Sequence, residues 1–371
     1  MKIEEIKTTW LSVPVKEPFA DSTHKPSNVI EWILVDILTD EGITGRSHML
    51  TFDYAPELLQ GMVEKELKKQ ILGQNPLYIK KIQEACWNQV EYVGQTGIAA
   101  WGMAAVDIAL WDILGKRLKC PVSQLLGAYR DRVPIYGSGG WLTYSTDRLL
   151  EEVTSYVKRG FKAVKIKVGS PDHKRDIERV KAVRRAIGDD ILLMVDANQG
   201  WGPHEAIALS KKIQDFDIFW LEEPVSKDDI QGCARVASSI DIPIAAGERE
   251  YSISKLGALM AEKAIAIVQP DVLRIGGITQ VVKLAHLAEN YNLRIASHFY
   301  KEIDVHVLAS IRNGLFLEYF PWLDDLLVNP LKIVDGMAVV PEQPGLGLEL
   351  KPEAISEYQV GATASTSAKS A

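Results

Sequence analysis

The pattern of apolar and polar positions changes rhythm near residue 130. Before it, residues 3–13 and 29–38 alternate with the two-residue period of strands that bury one face, and they read as an antiparallel meander. Residues 16–28 between them are polar and rich in Pro, Ser, Asp and His. Helical periods follow at 55–69, 77–90 and 97–118. The last is apolar on most faces (Ala99, Met103, Val106, Ala109, Leu110, Ile113), so it belongs inside. From Val133 short apolar runs alternate with amphipathic ones: VPIYGS, AVKIKV, LLMVDAN, FWLEEP, IPIAAGE, IVQPDV, RIASHF and LFLEYF. The amphipathic run at 175–187 ends on Gly188, placed as its C-cap. Eight strands spaced by roughly 20 to 30 residues predict an α/β fold, a parallel barrel with helices outside. A doubly wound open sheet is the rival, but its GxGxxG turn is missing. After Tyr319 loops and short strands return, ending at PGLGLEL.

Length and composition agree with two domains. The 371 residues are too many for one ordinary core. They divide into a first domain at 1–129, a barrel at 130–322, and a segment at 323–358 that returns to the first domain. The last stretch, 361–371, is small and polar (GATASTSAKSA) and reads as a disordered tail. Hydrophobic residues make up 47% and charged residues 25%, values of a soluble globular protein. A net charge of -7 with no basic stripe argues against a nucleic-acid partner. Cys86, Cys120 and Cys233 are scattered and lack metal spacing, which fits a reducing cytoplasm. The alternating, charged N-terminus is unlike a signal peptide, and no apolar run is expected to span a membrane.

In such barrels chemistry gathers where strands end. Read in order, those ends carry Lys165 and Lys167, Asp196 and Asn198, Glu222 and Glu223, Glu248, Asp271, His298 and Glu318. Singly, an acid there often caps the next helix, and a lone histidine is more often structural. As a set they say more. Asp196, Glu222 and Glu248, on three successive strands, form a hard-oxygen cluster of the kind Mg²⁺ prefers. Lysines flank it on one side and a histidine on the other.

The motifs KIK (165–167), VDANQ (195–199), WLEEP (220–224), GE (247–248), QPD (269–271), SH (297–298) and LEYF (317–320) together resemble the enolase superfamily. Within it, the chain is similar to the mandelate racemase group along almost its whole length. The resemblance implies a modified (β/α)7β TIM-type barrel under an α+β capping domain. It implies that Asp196, Glu222 and Glu248 bind Mg²⁺, and that Lys167, tuned by Lys165, is one acid/base. His298, paired with Asp271, is the other. Glu318 is expected to donate a hydrogen bond to the substrate carboxylate, for which it has to be protonated. Asn198 is expected to support the metal or the substrate. First-domain loops carrying His24, Lys25 and Tyr54 are expected to close over the barrel mouth and select the substrate. His306 reads as structural.

Two reactions fit a pair of bases on either side of a hydroxy-carboxylate: racemisation, or dehydration of a sugar acid. The polar loop around Asp21, His24 and Lys25 favours a sugar acid over an aryl substrate. On that reading Lys167 takes the α-proton and His298 protonates the leaving hydroxyl. A homo-oligomer acting on a small hydroxy-carboxylate is expected. A non-catalytic carboxylate-binding barrel is the non-enzymatic alternative, disfavoured by the cost of burying so many charges without use.

Overall fold

The computed structural model describes residues 1–361, so the tail read as disordered lies, from residue 362 on, outside the described residues. The chain opens with β1 (Ile3–Phe19), β2 (Ser27–Thr39) and β3 (Thr44–Thr51), an antiparallel sheet in that order. β1 runs further than alternation suggested, which shortens the polar loop to the stretch between Phe19 and Ser27. β3 was not anticipated, because TGRSHMLT buries polar residues. Each of them has a partner. Arg46 forks onto Asp36 with both bonds at 2.7 Å, Ser47 donates to the Ala105 carbonyl at 2.6 Å, and the His48 ring accepts from Trp32.

The run expected as one helix at 55–69 is α1 (Pro56–Gly61), a π turn (Met62–Leu67) and α2 (Lys68–Ile71). Then come α3 (Ile79–Gln89), α4 (Ile98–Leu118) and α5 (Val122–Leu125). α4 corrects an expectation. Its 21 residues are long and apolar enough to cross a membrane, yet 78% of that window is buried inside the protein, the mark of a core helix. It packs on β3, and Gly45 permits the approach: a Cβ there would fall 2.1 Å from the Ala109 carbonyl oxygen.

The barrel follows as seven β–α units and a final strand. They are β4 (Arg132–Gly139), α6 (Thr146–Lys158), β5 (Ala163–Lys167), α7 (His173–Ile187), β6 (Leu192–Asp196), α8 (Pro203–Ile213), β7 (Ile218–Glu222) and α9 (Ile230–Ala237). Next are β8 (Ile244–Ala246), α10 (Ile253–Ala261), β9 (Ile267–Val268), α11 (Ile278–Asn290), β10 (Arg294–Ala296), α12 (Lys301–Ser310) and β11 (Gly314–Tyr319). Neighbouring strands are parallel, and β11 pairs with β4 to close the ring. The segment after the barrel divides. β12 (Ile333–Val334) and β13 (Met337–Val339) form a hairpin on the start of β4, whereas α13 (Pro352–Tyr358) packs on β1.

A buried acid is among the groups that tie the first domain to the barrel. Asp107 of α4 is fully buried and caps α11 from outside it, accepting from Thr279 N at 3.0 Å and Thr279 Oγ1 at 2.7 Å. Gln83 adds a third donor at 2.5 Å. Burial pushes the Asp107 carboxyl up to about 7, against the pull of Thr279. Its folded-state value thus lies above the unfolded one, so its stabilising contribution is complete at acid pH and is lost as pH rises toward 7. Asp107→Asn is expected to flatten the fall in Tm between about pH 4 and pH 7. Asp107→Ala, which orphans three donors, is expected to cost about 1–3 kcal/mol. A wild-type pH profile in Asp107→Asn would contradict the assignment.

Candidate active site

A single layer of side chains fills the barrel's middle: Tyr136, Ala163, Met194, Trp220, Ala245, Ile267, Ala296 and Phe316, one from each strand. Residues two further along a strand share its face. That step takes Ala163 to Lys165, Met194 to Asp196, Trp220 to Glu222, Ile267 to Gln269, Ala296 to His298 and Phe316 to Glu318. The polar floor of the site is thus the next layer above the apolar plug. A second step of two reaches Lys167, Asn198 and Asp271 at the mouth.

β8 breaks the register. Its step of two lands on Gly247, at φ 135°, where a Cβ would meet Leu256 at 2.8 Å. The turn made there brings in Glu248 instead. Other strand ends hold non-glycine residues at positive φ: Asn198 (43°), Glu223 (40°) and Phe299 (73°). Such conformations cost on the order of 1–3 kcal/mol each and mark places where the backbone serves the site.

Asp196, Glu222 and Glu248 each offer an oxygen within 4.8 Å of the others, and their exposures are 0%, 0% and 3%. Lys165 Nζ lies 2.5 Å from Glu222 and 2.8 Å from Glu318. Lys167 Nζ lies 2.5 Å from Asp196. Gln269 donates to Glu222 at 2.9 Å and Trp220 does so at 3.1 Å. Burial and the charge of Asp196 hold Glu222 well above the usual carboxylate range. Burial pushes Glu248 the same way, but His298, Arg249 and Arg274 outweigh it and hold the carboxyl low. Three buried carboxylates whose oxygens converge are the chemistry of a hard divalent cation site.

The two proton-transfer groups stand on either side of this cluster. Burial pulls the Lys167 ammonium down, but the Asp196 carboxylate outweighs it and holds its pKa above the ordinary value; the neighbouring charge of Lys165 works downward without reversing that. His298 Nδ1 lies 2.8 Å from Asp271 Oδ2, and its Nε2 lies 3.3 Å from Glu248. Asp271 also accepts from Leu273 N at 2.8 Å and Arg274 N at 2.9 Å, so the turn after β9 fixes the carboxylate that orients the imidazole.

A cavity of about 240 Å³ lies above. It brings together Lys167, Asn198, Glu248, Asp271, His298 and Glu318 with His24, Lys25 and Tyr54 of the first-domain loops. Lys165, Asp196 and Glu222 sit beneath it. Glu318 departs from the protonated donor expected of it. Burial raises its pKa, but the charges of Lys165, His298 and Lys167 prevail and hold it below the usual value. Its Oε2 accepts from Phe299 N at 2.8 Å, so it stands as an ionised acceptor beside Lys165.

Sequence reasoning missed Gln269, which the QPD motif and its two-residue step could have given. It also missed Arg249, which reaches Glu223 at 3.2 Å, Glu248 at 3.4 Å and the loop's Thr23 at 3.0 Å. One wall of the cavity is aromatic: Phe19, Phe52, Trp141, Phe299 and Phe320. The polar loop therefore contributes to both sides, Phe19 and Ala20 to that wall, and Asp21, His24 and Lys25 to a polar rim. His306 is structural as expected: it is buried, burial lowers its pKa to about 4, and its ring nitrogens lie 3.4 Å from Ser123 N and 3.1 Å from the Leu346 carbonyl oxygen.

Residues 5–127 match the model of the mandelate racemase / muconate lactonizing enzyme N-terminal domain, and residues 148–354 match the enolase C-terminal domain-like model. The chain belongs to this enolase-superfamily family. Within the family, it is 34% identical to 3,6-anhydro-α-L-galactonate cycloisomerase of Streptomyces coelicolor, over 97% of this chain and 100% of that one. It is 35% identical to L-talarate/galactarate dehydratase of Salmonella typhimurium, over 95% and 90%. The crystal structure of a racemase from Streptomyces coelicolor A3(2) with bound magnesium superposes with a TM-score of 0.94, at 34% identity, over 96% of this chain and 100% of that one. Like its family, the protein is a Mg²⁺-dependent enzyme, and the buried Asp196, Glu222 and Glu248 carboxylates fit that ion.

Proposed function

We propose that the protein dehydrates a sugar acid, an aldonate or aldarate, to a 2-keto-3-deoxy acid by removing the α-proton. The observation that carries this reading is one cavity in which Lys167 and His298 face each other across a three-carboxylate metal site. An α-proton beside a carboxylate is very weakly acidic, and its loss puts further charge on oxygens that are already anionic. Mg²⁺, when bound, supplies the electrostatic stabilisation of that enediolate. The chain's own groups do the rest. Lys167 takes the α-proton from one face, and His298, held by Asp271, stands at the other. Lys165 and Glu318 brace the floor. The aromatic wall suits the C–H edge of a polyol chain and the rim its hydroxyls.

The relatives' names support both a dehydratase and a racemase, and two facing bases are what racemisation uses. Racemisation of a 2-hydroxy acid is therefore the second reading. A panel of aldonates, uronates and aldarates incubated with the Mg²⁺-loaded enzyme separates them. Appearance of a 2-keto acid supports dehydration. Formation of the 2-epimer without keto product on every substrate turned over would replace it with racemisation.

Lys25 lines the rim and has no salt bridge among the described residues. Lys25→Ala is expected to raise KM about tenfold with little change in kcat, the effect of losing one charged contact made equally in ground and transition states. Unchanged kinetics on every substrate turned over would remove Lys25 from the substrate's reach. The three free cysteines fit a reducing cytoplasm, where we place the enzyme, and assembly as a homo-oligomer is testable by light scattering.

A further inference from the structure

The cavity holds a second carboxylate–imidazole pair. Asp21 Oδ2 lies 2.7 Å from His24 Nδ1, and Asp21 Oδ1 accepts from Thr23 N at 2.7 Å, Thr23 Oγ1 at 3.0 Å and His24 N at 2.9 Å. The carboxylate is nearly buried, at 9% exposure, and the imidazole is 45% exposed. Both line the same cavity as Lys167 and His298. Burial pushes the Asp21 carboxyl up, but the hydrogen bond with His24 and the charges of Lys167 and His24 outweigh it and hold it well below the usual range. Asp21 fixes the orientation of the ring, as Asp271 does for His298. Among the described residues, His24 Nε2 has no protein partner at hydrogen-bond distance, whereas His298 Nε2 faces Glu248 at 3.3 Å.

The loop carrying this pair is pinned in place. Ser22 Oγ donates to the Ala197 carbonyl at 2.6 Å and reaches that of Asn198 at 3.2 Å. Gly169 and Gly200 leave the room for it, since a Cβ on either would come within 2.9 Å of the Ser22 side chain. Arg249 holds Thr23 from the Glu248 side. His24 is thus an ordered group at the rim.

We propose that His24, oriented by Asp21, is the acid that protonates the leaving oxygen on the substrate's β-carbon. The inference rests on the dehydration reading above. With the carboxylate and α-carbon at the metal floor, Lys167 and His298 flank the α-carbon, and the β-substituent extends toward the rim. This moves the leaving-group role from His298 to His24 and leaves His298 as the opposite-face partner of Lys167. The step balances. The base takes the α-proton, the enediolate electrons form the Cα–Cβ double bond, and the Cβ–O bond breaks. The departing oxygen takes the proton of His24 Nε2 and leaves as water. The enol then gains a proton at Cβ and gives up its 2-hydroxyl proton to water, which leaves the 2-keto-3-deoxy acid.

The test uses the substrate that wild type dehydrates and its 3-deoxy-3-fluoro analogue, because fluoride leaves without protonation. His24→Gln is expected to lower the dehydration rate at least 100-fold, within the range of one general acid. It is expected to keep α-proton exchange in D₂O and fluoride release within a few-fold of wild type. Asp21→Asn is expected to show the same pattern more weakly. If His24→Gln loses dehydration, exchange and fluoride release in one ratio, His24 only binds substrate, and the proposal is overturned. Wild-type dehydration in His24→Gln overturns it too. If the wild-type enzyme exchanges α-protons yet dehydrates nothing in the panel, the dehydration reading itself fails, which is a different result.

Discussion

Lys167→Ala is expected to abolish dehydration, together with exchange of the α-proton with D₂O, on any substrate whose α-proton faces β5. Removal of a general base costs about 10²- to 10⁴-fold. His298→Asn is expected to spare that exchange and to remove exchange on the 2-epimer. The control is metal affinity. Lys167 Nζ lies 2.5 Å from Asp196, so its loss removes a cation from a metal ligand and is expected to leave Mg²⁺ binding intact or tighter. Wild-type exchange in Lys167→Ala, with metal bound, would show that Lys167 is not the base.

Glu222→Gln is the second large effect. The substitution is nearly isosteric, and Gln269, Trp220 and Lys165 already surround the carboxylate. The fold is expected to survive, because Lys165 keeps Glu318 at 2.8 Å. The metal site does not fare as well, since one of three hard anionic ligands is gone. Mg²⁺ affinity is expected to fall at least tenfold and turnover with it, and EDTA is expected to silence the wild type until Mg²⁺ is restored. Calorimetric Mg²⁺ titration decides the matter: unchanged affinity in Glu222→Gln would take Glu222 out of the site.

The barrel was legible because its strands are buried on both faces and so read as short apolar runs, each ending in a polar residue. The two-residue step from the plug layer to the polar floor is a sequence property too, which is why Lys165, Asp196, Glu222, His298 and Glu318 could all be picked out. Other features hid for physical reasons. β3 buries Ser47 and His48 and half-buries Arg46, and only Ala105, Trp32 and Asp36, distant in sequence or on another strand, make that tolerable. The aromatic wall is assembled from Phe19, Phe52, Trp141, Phe299 and Phe320, which belong to separate elements and share no period. Glu318 was expected protonated because the charge of Lys165, 2.8 Å away, could not be read from a linear sequence. Asp21 lies three residues before His24, but only the turn that folds one onto the other makes them a pair.

With metal bound, the protein is expected to remove the α-proton of a sugar acid at the floor of this cavity. Proton NMR in D₂O tests it most directly, with the Mg²⁺-loaded enzyme and each member of the acid-sugar panel. For at least one substrate the α-proton resonance is expected to disappear while 2-keto-3-deoxy product grows in, and EDTA is expected to stop both. An α-proton that persists across the whole panel with Mg²⁺ bound, or exchange that continues unchanged without the metal, would contradict it.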